Sequence, residues 1–98
     1  MILYISGPMT GLPEHNYPAF HAAEARLRDA GHNVLNPARQ PAQASWEDYL
    51  RRDLTQVLAA EGVALLPGWR RSRGARLEHH VAAELGMDIR DLHDWLTW

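Results

Sequence analysis

Three short segments that read as strands, Ile2 to Ser6, His32 to Asn36 and Gly62 to Leu66, are separated by longer stretches of helical spacing, and this alternation restricts the fold most. Repeated strand–helix units of this size imply a parallel sheet with helices on both faces. The first helix starts around Tyr17, with Pro18 suited to its first turn and Gly31 as its stop, and Phe20, Ala23, Leu27 and Ala30 give it a core face. Pro37 closes the second strand, and residues 37 to 44 form a connector rich in Pro, Ala and Gln. Ser45 is placed to cap a helix reaching about Ala60, and Glu47 and Asp48 favour its first turn. Gly62 to Leu66 is apolar enough to be buried on both faces, as a central parallel strand is. A third helix covers about Ala75 to Leu85 and stops at Gly86. Met87 to Ile89 reads as a short fourth strand, and Arg90 to Trp98 as a terminal helical turn or two. The expected class is α/β, a Rossmann-like three-layer sandwich with a short, mainly parallel sheet.

The 98 residues make a single domain with a modest core. Hydrophobic content of 46% with 22% charged residues belongs to a folded chain rather than a disordered one. Ten basic residues, all Arg, stand against twelve acidic ones for a net charge of −2, so there is no general electrostatic case for a nucleic-acid polymer or an anionic membrane. The absence of Cys excludes disulfides and cysteine-rich metal sites and fits a reducing compartment. Apolar runs fall far short of the roughly 20 residues that cross a bilayer. Met1 leads straight into Ile2 to Ile5 with no basic segment, which reads as a strand rather than a signal peptide. The expectation is a cytoplasmic protein with no membrane partner.

Sheets of this class bind ligands at the carboxyl ends of their strands, here the loops after Ser6 and after Leu66. Glu78 follows the second loop. On a helix advancing about 100° per residue, Leu77, Val81 and Leu85 define an apolar arc with Glu78 inside it. Ionisable groups on apolar faces are rare unless paired or working, so Glu78 is the candidate catalytic group. An acid near a helix start is also favoured by the macrodipole alone, which is its bland alternative. Asp53 shares a side of its helix with Trp46, Leu50 and Val57, and reads either as a ligand contact or as a paired structural carboxylate.

The loop Gly7-Pro8-Met9-Thr10-Gly11 can bring backbone close to a ligand, yet it matches neither a dinucleotide fingerprint nor a Walker loop. Arg70, Arg71, Ser72 and Arg73 supply donors for an anion beside a helix N-terminus, or form a solvated arginine cluster. His79 and His80 adjoin Glu78, but adjacent residues diverge on a helix and no metal-binding spacing is present, so no metal or other cofactor is expected. There is no Gly-x-Ser-x-Gly elbow and no Ser/His/Asp set. Trp69, Trp95 and Trp98 read as core or interface residues.

Tyr4 to Gly11, Asn16 to Phe20, Leu65 to Trp69 and Ser72-x-Gly74-Ala75-x-x-Glu78 together resemble a small uncharacterised bacterial and phage family. That family is similar to the nucleoside 2-deoxyribosyltransferases and the 2′-deoxynucleoside 5′-phosphate N-hydrolases. The resemblance implies that Glu78 attacks the anomeric carbon of the sugar and expels the base as a glycosyl-enzyme ester forms. A water or a second base then opens the ester. It implies loop hydrogen bonds that keep the carboxylate ionised. Six residues before the glutamate, the transferases commonly place Asp and the hydrolases a Ser that helps to hold a 5′-phosphate, and this chain has Ser72. Where the hydrolases carry an arginine in the first glycine loop, it has Met9 and Thr10.

The resulting expectation is cleavage of the N-glycosidic bond of a (deoxy)nucleoside 5′-monophosphate or related nucleotide, by hydrolysis or base transfer. Glu78 is the nucleophile. Gly7, Met9, Thr10, Gly11, Asp53, Ser72 and Gly74 contact substrate. The resemblance also implies a homodimer or larger homo-oligomer, with the tail from Trp95 to Trp98 as a candidate interface. The alternatives are a non-catalytic nucleotide sensor and an accessory factor that binds another protein.

Overall fold

The computed structural model describes residues 1–96 and consists of four parallel strands between two helical layers. The strands are β1 (Ile2–Ser6), β2 (Asn33–Leu35), β3 (Gly62–Leu65) and β4 (Asp88–Asp91), in the spatial order β2-β1-β3-β4. Register is fixed by pairs such as Leu3 with Val34, Tyr4 with Val63, and Val63 with Ile89. The helices are α1 (Tyr17–Asp29), α2 (Trp46–Ala59), α3 (Arg73–Glu84) and α4 (Leu92–Leu96). This is the α/β architecture expected from the alternation of runs.

A strand has a two-residue period, so β1 feeds two separate cores. Leu3 and Ile5 pack with Phe20, Ala23, Leu27 and Trp95 from α1 and α4, while Tyr4 packs with Val57 and Ala82 from α2 and α3. Trp95 is buried and its indole N–H donates to the Val63 carbonyl at 2.8 Å. Of the two readings, core or interface, Trp95 is therefore a core residue of the single chain; Trp98 lies outside the described residues.

Several boundaries differ from the expected ones, three of them for a visible physical reason. The third helix starts at Arg73 rather than near Ala75, because Ser72 caps it by accepting from the Ala75 N–H at 3.1 Å. Its buried stripe is Ala75, Glu78 and Ala82; Leu77 and Val81 only flank it, and Leu85 is 57% exposed. The fourth strand is Asp88–Asp91, not Met87 to Ile89, since an edge strand tolerates the charges that a central one excludes. The second strand stops at Leu35, and Asn36 instead caps a 3₁₀ turn, Pro37–Arg39, by accepting from the Ala38 N–H.

At that corner Glu24 is buried on α1 and accepts from Arg28, Asn36 and Arg39. Burial alone raises its carboxyl, but hydrogen bonds from Arg39, Asn36 and Arg28 outweigh this and hold it at about 2. The network ties α1 to the end of β2. Among the described residues, no helix is long and apolar enough to cross a membrane.

Candidate active site

Glu78 lies in the second turn of α3, 5% exposed. Small residues on either side of it along the helix, Ala75 and Ala82, let α3 approach the sheet closely enough for a carboxylate to reach β1. There Tyr4 Oη donates to Glu78 Oε2 at 2.8 Å and Ser6 Oγ donates to Oε1 at 2.7 Å. Burial raises the Glu78 carboxyl, hydrogen bonds from Ser6 and Tyr4 lower it, and the charge of Asp53 raises it again, leaving it at about 7. Two expectations are corrected here. The donors come from the strand rather than the loop, and they moderate the proton affinity without holding the acid fully ionised. Tyr4 is itself pushed well above the usual tyrosine range, first by burial and then by the charge of Glu78.

Glu78 lines a cleft of about 900 Å³ at the carboxyl edge of the sheet. One wall is the loop after β1, another is the loop after β3 with the start of α3, and the third is the first half of α2. Gly7, Met9, Thr10, Asp53, Ser72, Gly74 and Glu78 all line it. Gly11 does not; it is exposed at φ +82°, where its contribution is to let the chain turn. Gly7 is required by close approach, because a Cβ there would lie 2.7 Å from Leu66 Cβ. Met9 also packs against the core beneath the loop. Of the arginine run, Arg71 and Arg73 line the cleft. Arg70 is turned aside over the Trp69 ring, which stacks on His79, so that histidine braces the loop.

Asp53 lines the cleft and is paired with Arg52 at 2.8 Å, so the structural pairing is present at a position that a ligand could reach. Burial raises its carboxyl and the Arg52 hydrogen bond and charge only partly offset this, so it ends above the usual range. Among the described residues no cluster of three or more His, Asp or Glu is arranged to hold a metal ion.

Sequence reasoning missed Tyr4 and Ser6 as site residues. Their signal was present: β1 is central and buried on both faces, where a uniform apolar run is expected, yet it carries hydroxyls at alternate positions. It also missed the aromatic wall of Tyr17, Trp46 and Tyr49, and the rim formed by His15 and Asn16. Glu14, His15 and Asn16 all have φ between +52° and +60°, and the Asn16 side chain donates to the Pro8 carbonyl at 3.0 Å. Nothing in residue type announces that turn.

A search of curated proteins returns no match. Among solved structures the chain is similar to a 2-deoxyribosyltransferase from the psychrotolerant bacterium Bacillus psychrosaccharolyticus. The TM-score is 0.75 at 19% identity, covering 100% of this chain and 92% of that one, and the two share a fold. The family model described as a domain of unknown function, DUF4406, matches residues 1–91, and the chain belongs to that family.

Proposed function

We propose that this protein cleaves the N-glycosidic bond of a nucleoside 5′-monophosphate, with Glu78 as nucleophile. The observation that carries this reading is a buried carboxylate on the wall of a cleft, its two oxygens held by Tyr4 and Ser6. Sharing a fold with a 2-deoxyribosyltransferase supports the reaction class, and so does the sequence resemblance.

In the first step an oxygen of ionised Glu78 forms a bond to the anomeric carbon as the carbon–nitrogen bond breaks, and the bonding pair leaves with the base nitrogen. The base takes up a proton, and a glycosyl ester remains on Glu78. Water, or a second base, then attacks the same carbon and returns the carboxylate. A carboxyl near 7 is about half ionised at neutral pH, so it combines a populated nucleophile with a weakly solvated one. Tyr4 and Ser6 hydrogen-bond the ionised form and keep its oxygens in place.

The 5′-phosphate is assigned to the start of α3. Ser72 has its oxygen on the Ala75 N–H and a proton left to donate, Arg71 lines the same wall, and Gly74 has open space where a Cβ would stand. Asp53 and the aromatic residues of α2 form the adjoining wall, where the base belongs, and Arg73 at the start of α3 lies 4.2 Å from the centre of the Trp46 ring. The assembly is proposed to be a homodimer or larger, which would cover Leu58 and Leu85, 64% and 57% exposed.

The test is chromatographic detection of free base from a panel of ribo- and deoxynucleosides and their monophosphates, with and without an acceptor base. Wild type should release base from a monophosphate, and Glu78→Ala should lose at least ~10³-fold in rate while staying folded. Acceptor dependence separates transfer from hydrolysis. Release that persists in Glu78→Ala, or a folded wild type that binds nucleotides without releasing base, would overturn the proposal in favour of a sensor.

A further inference from the structure

Arg52 is the most heavily engaged cation near the cleft, and it does not itself line it. Its side chain is 17% exposed, so its charge needs partners. Nε and Nη2 donate to the same oxygen, Asp53 Oδ1, at 3.0 and 2.8 Å. Nη1 donates to the Pro41 carbonyl at 2.6 Å and Nη2 also reaches the Pro37 carbonyl at 3.4 Å. The guanidinium carbon stands 5.2 Å from the centre of the Tyr49 ring. Three lining residues, Pro37, Tyr49 and Asp53, are therefore joined by one group.

The pairing is unusual for a helix. Adjacent residues diverge on a helix surface, and ion pairs normally form three or four residues apart. Arg52 reaches its neighbour because the Pro41 carbonyl, and more weakly the Pro37 carbonyl that also accepts from the Gln40 N–H, anchor the guanidinium above Asp53. Both donors then fall on Oδ1, and Oδ2 receives no hydrogen bond among the described residues.

We infer that Arg52 is a positioning residue: it keeps one Asp53 oxygen on the guanidinium and presents the other, as an acceptor, to an N–H edge of the bound base. This rests on the glycosidic reading of the cleft. The other charged or titratable groups around Asp53 are Tyr49 on α2, Tyr4 on β1, Glu78 on α3, Arg71 and Arg73 beside its start, and His15 at the rim. Burial favours a proton on Asp53, and Arg52 is the cation in direct contact that opposes it. An ionised carboxylate only accepts, whereas a protonated one also donates. Arg52 thus decides which edge chemistry is read. The ligand class is a nucleotide whose base turns an amino or ring N–H toward α2, and alkylation of that nitrogen should exclude it.

The test combines one readout that needs no turnover with one that does. In protein labelled with ¹³C at aspartate carboxyls, with the Asp53 signal assigned by its loss in Asp53→Asn, Arg52→Gln should move the Asp53 titration midpoint upward. Arg52→Lys, which restores charge without the fork, should return it toward wild type. On the best monophosphate substrate, Arg52→Gln should raise KM about tenfold with kcat changed less than about threefold. It should add little to Asp53→Asn. An unmoved midpoint in folded Arg52→Gln, or fully additive losses with Asp53→Asn, would overturn the assignment. Should Arg52→Gln fail to fold, Arg52→Lys decides: a KM equal to wild type would overturn it, and a raised KM absent from the Asp53→Asn background would support it. A wild type inactive on every nucleotide would sink the glycosidic reading, while the carboxyl titration would still judge the link between Arg52 and Asp53.

Discussion

Burial lifts the Glu78 carboxyl to about 7, and hydrogen bonds from two hydroxyls keep it from going higher. In the proposed reaction the ionised form is the nucleophile, so the rate of base release should rise with pH to a plateau above about 7. Ser6 and Tyr4 both favour ionisation, so removing either hydroxyl moves the acid limb toward higher pH. Ser6→Ala and Tyr4→Phe should each cost about 1 kcal/mol at pH 7, several-fold in rate, and recover part of it by pH 8.5. A pH–rate profile of the three proteins checks this; a limb unmoved in both variants would remove the hydroxyls from the proposed chemistry. Glu78 was legible from sequence because an acid on a buried face is anomalous by type. The partners were not, because hydroxyls are tolerated at many strand positions and only the register brings Tyr4 and Ser6, 74 and 72 residues away, beneath it. The expected arc of Leu77, Val81 and Leu85 pointed to the right helix for an imperfect reason. The face that packs is the one whose small residues permit close approach.

Two helices end in the cleft wall with the same device, a serine whose hydroxyl accepts from the third residue of the helix, Ser45 at α2 and Ser72 at α3. As caps they are equivalent, so Ser45→Ala and Ser72→Ala should each lose about 1 kcal/mol in urea denaturation. As substrate contacts they are not. Ser72 alone lines the cleft, so only Ser72→Ala should weaken a 5′-phosphorylated ligand, by about tenfold, and leave the matching nucleoside unaffected. Calorimetric titration with the two ligands separates these; equal losses for both would make Ser72 a cap and nothing more. The elements themselves were readable because Pro, Gly and Ser mark their ends by local chemistry. The errors fell where tertiary context decides, at a capping serine ahead of Gly74 and at an edge strand rich in charge.

Over the whole molecule two buried glutamates bend the stability curve in opposite directions. Glu24 has its folded value lowered from 4.5 to about 2, so the unfolded chain binds the extra proton and stability is lost as pH falls through that window. Glu78 has its folded value raised from 4.5 to about 7, so the native state binds the extra proton and stability declines as pH rises through that window. The second effect is on the order of 3 kcal/mol. Urea midpoints should therefore peak near pH 4.5 to 5. Glu78→Gln should flatten the decline toward neutrality, and Glu24→Gln should lower the peak and flatten the fall in acid. A Glu78→Gln protein no more stable than wild type at pH 8 would contradict the buried ionised group.

Strand β1 is one of the two interior strands of the sheet, paired on one side with β2 and on the other with β3. It precedes both partners in the chain, so it keeps an unsatisfied edge until residues 62–65 follow, and its hydroxyls wait for Glu78. Folding therefore cannot proceed from one end to the other. Chains ending before residue 62 should expose that edge to pairing with other chains, so the floor of the candidate site is completed only as the sheet closes.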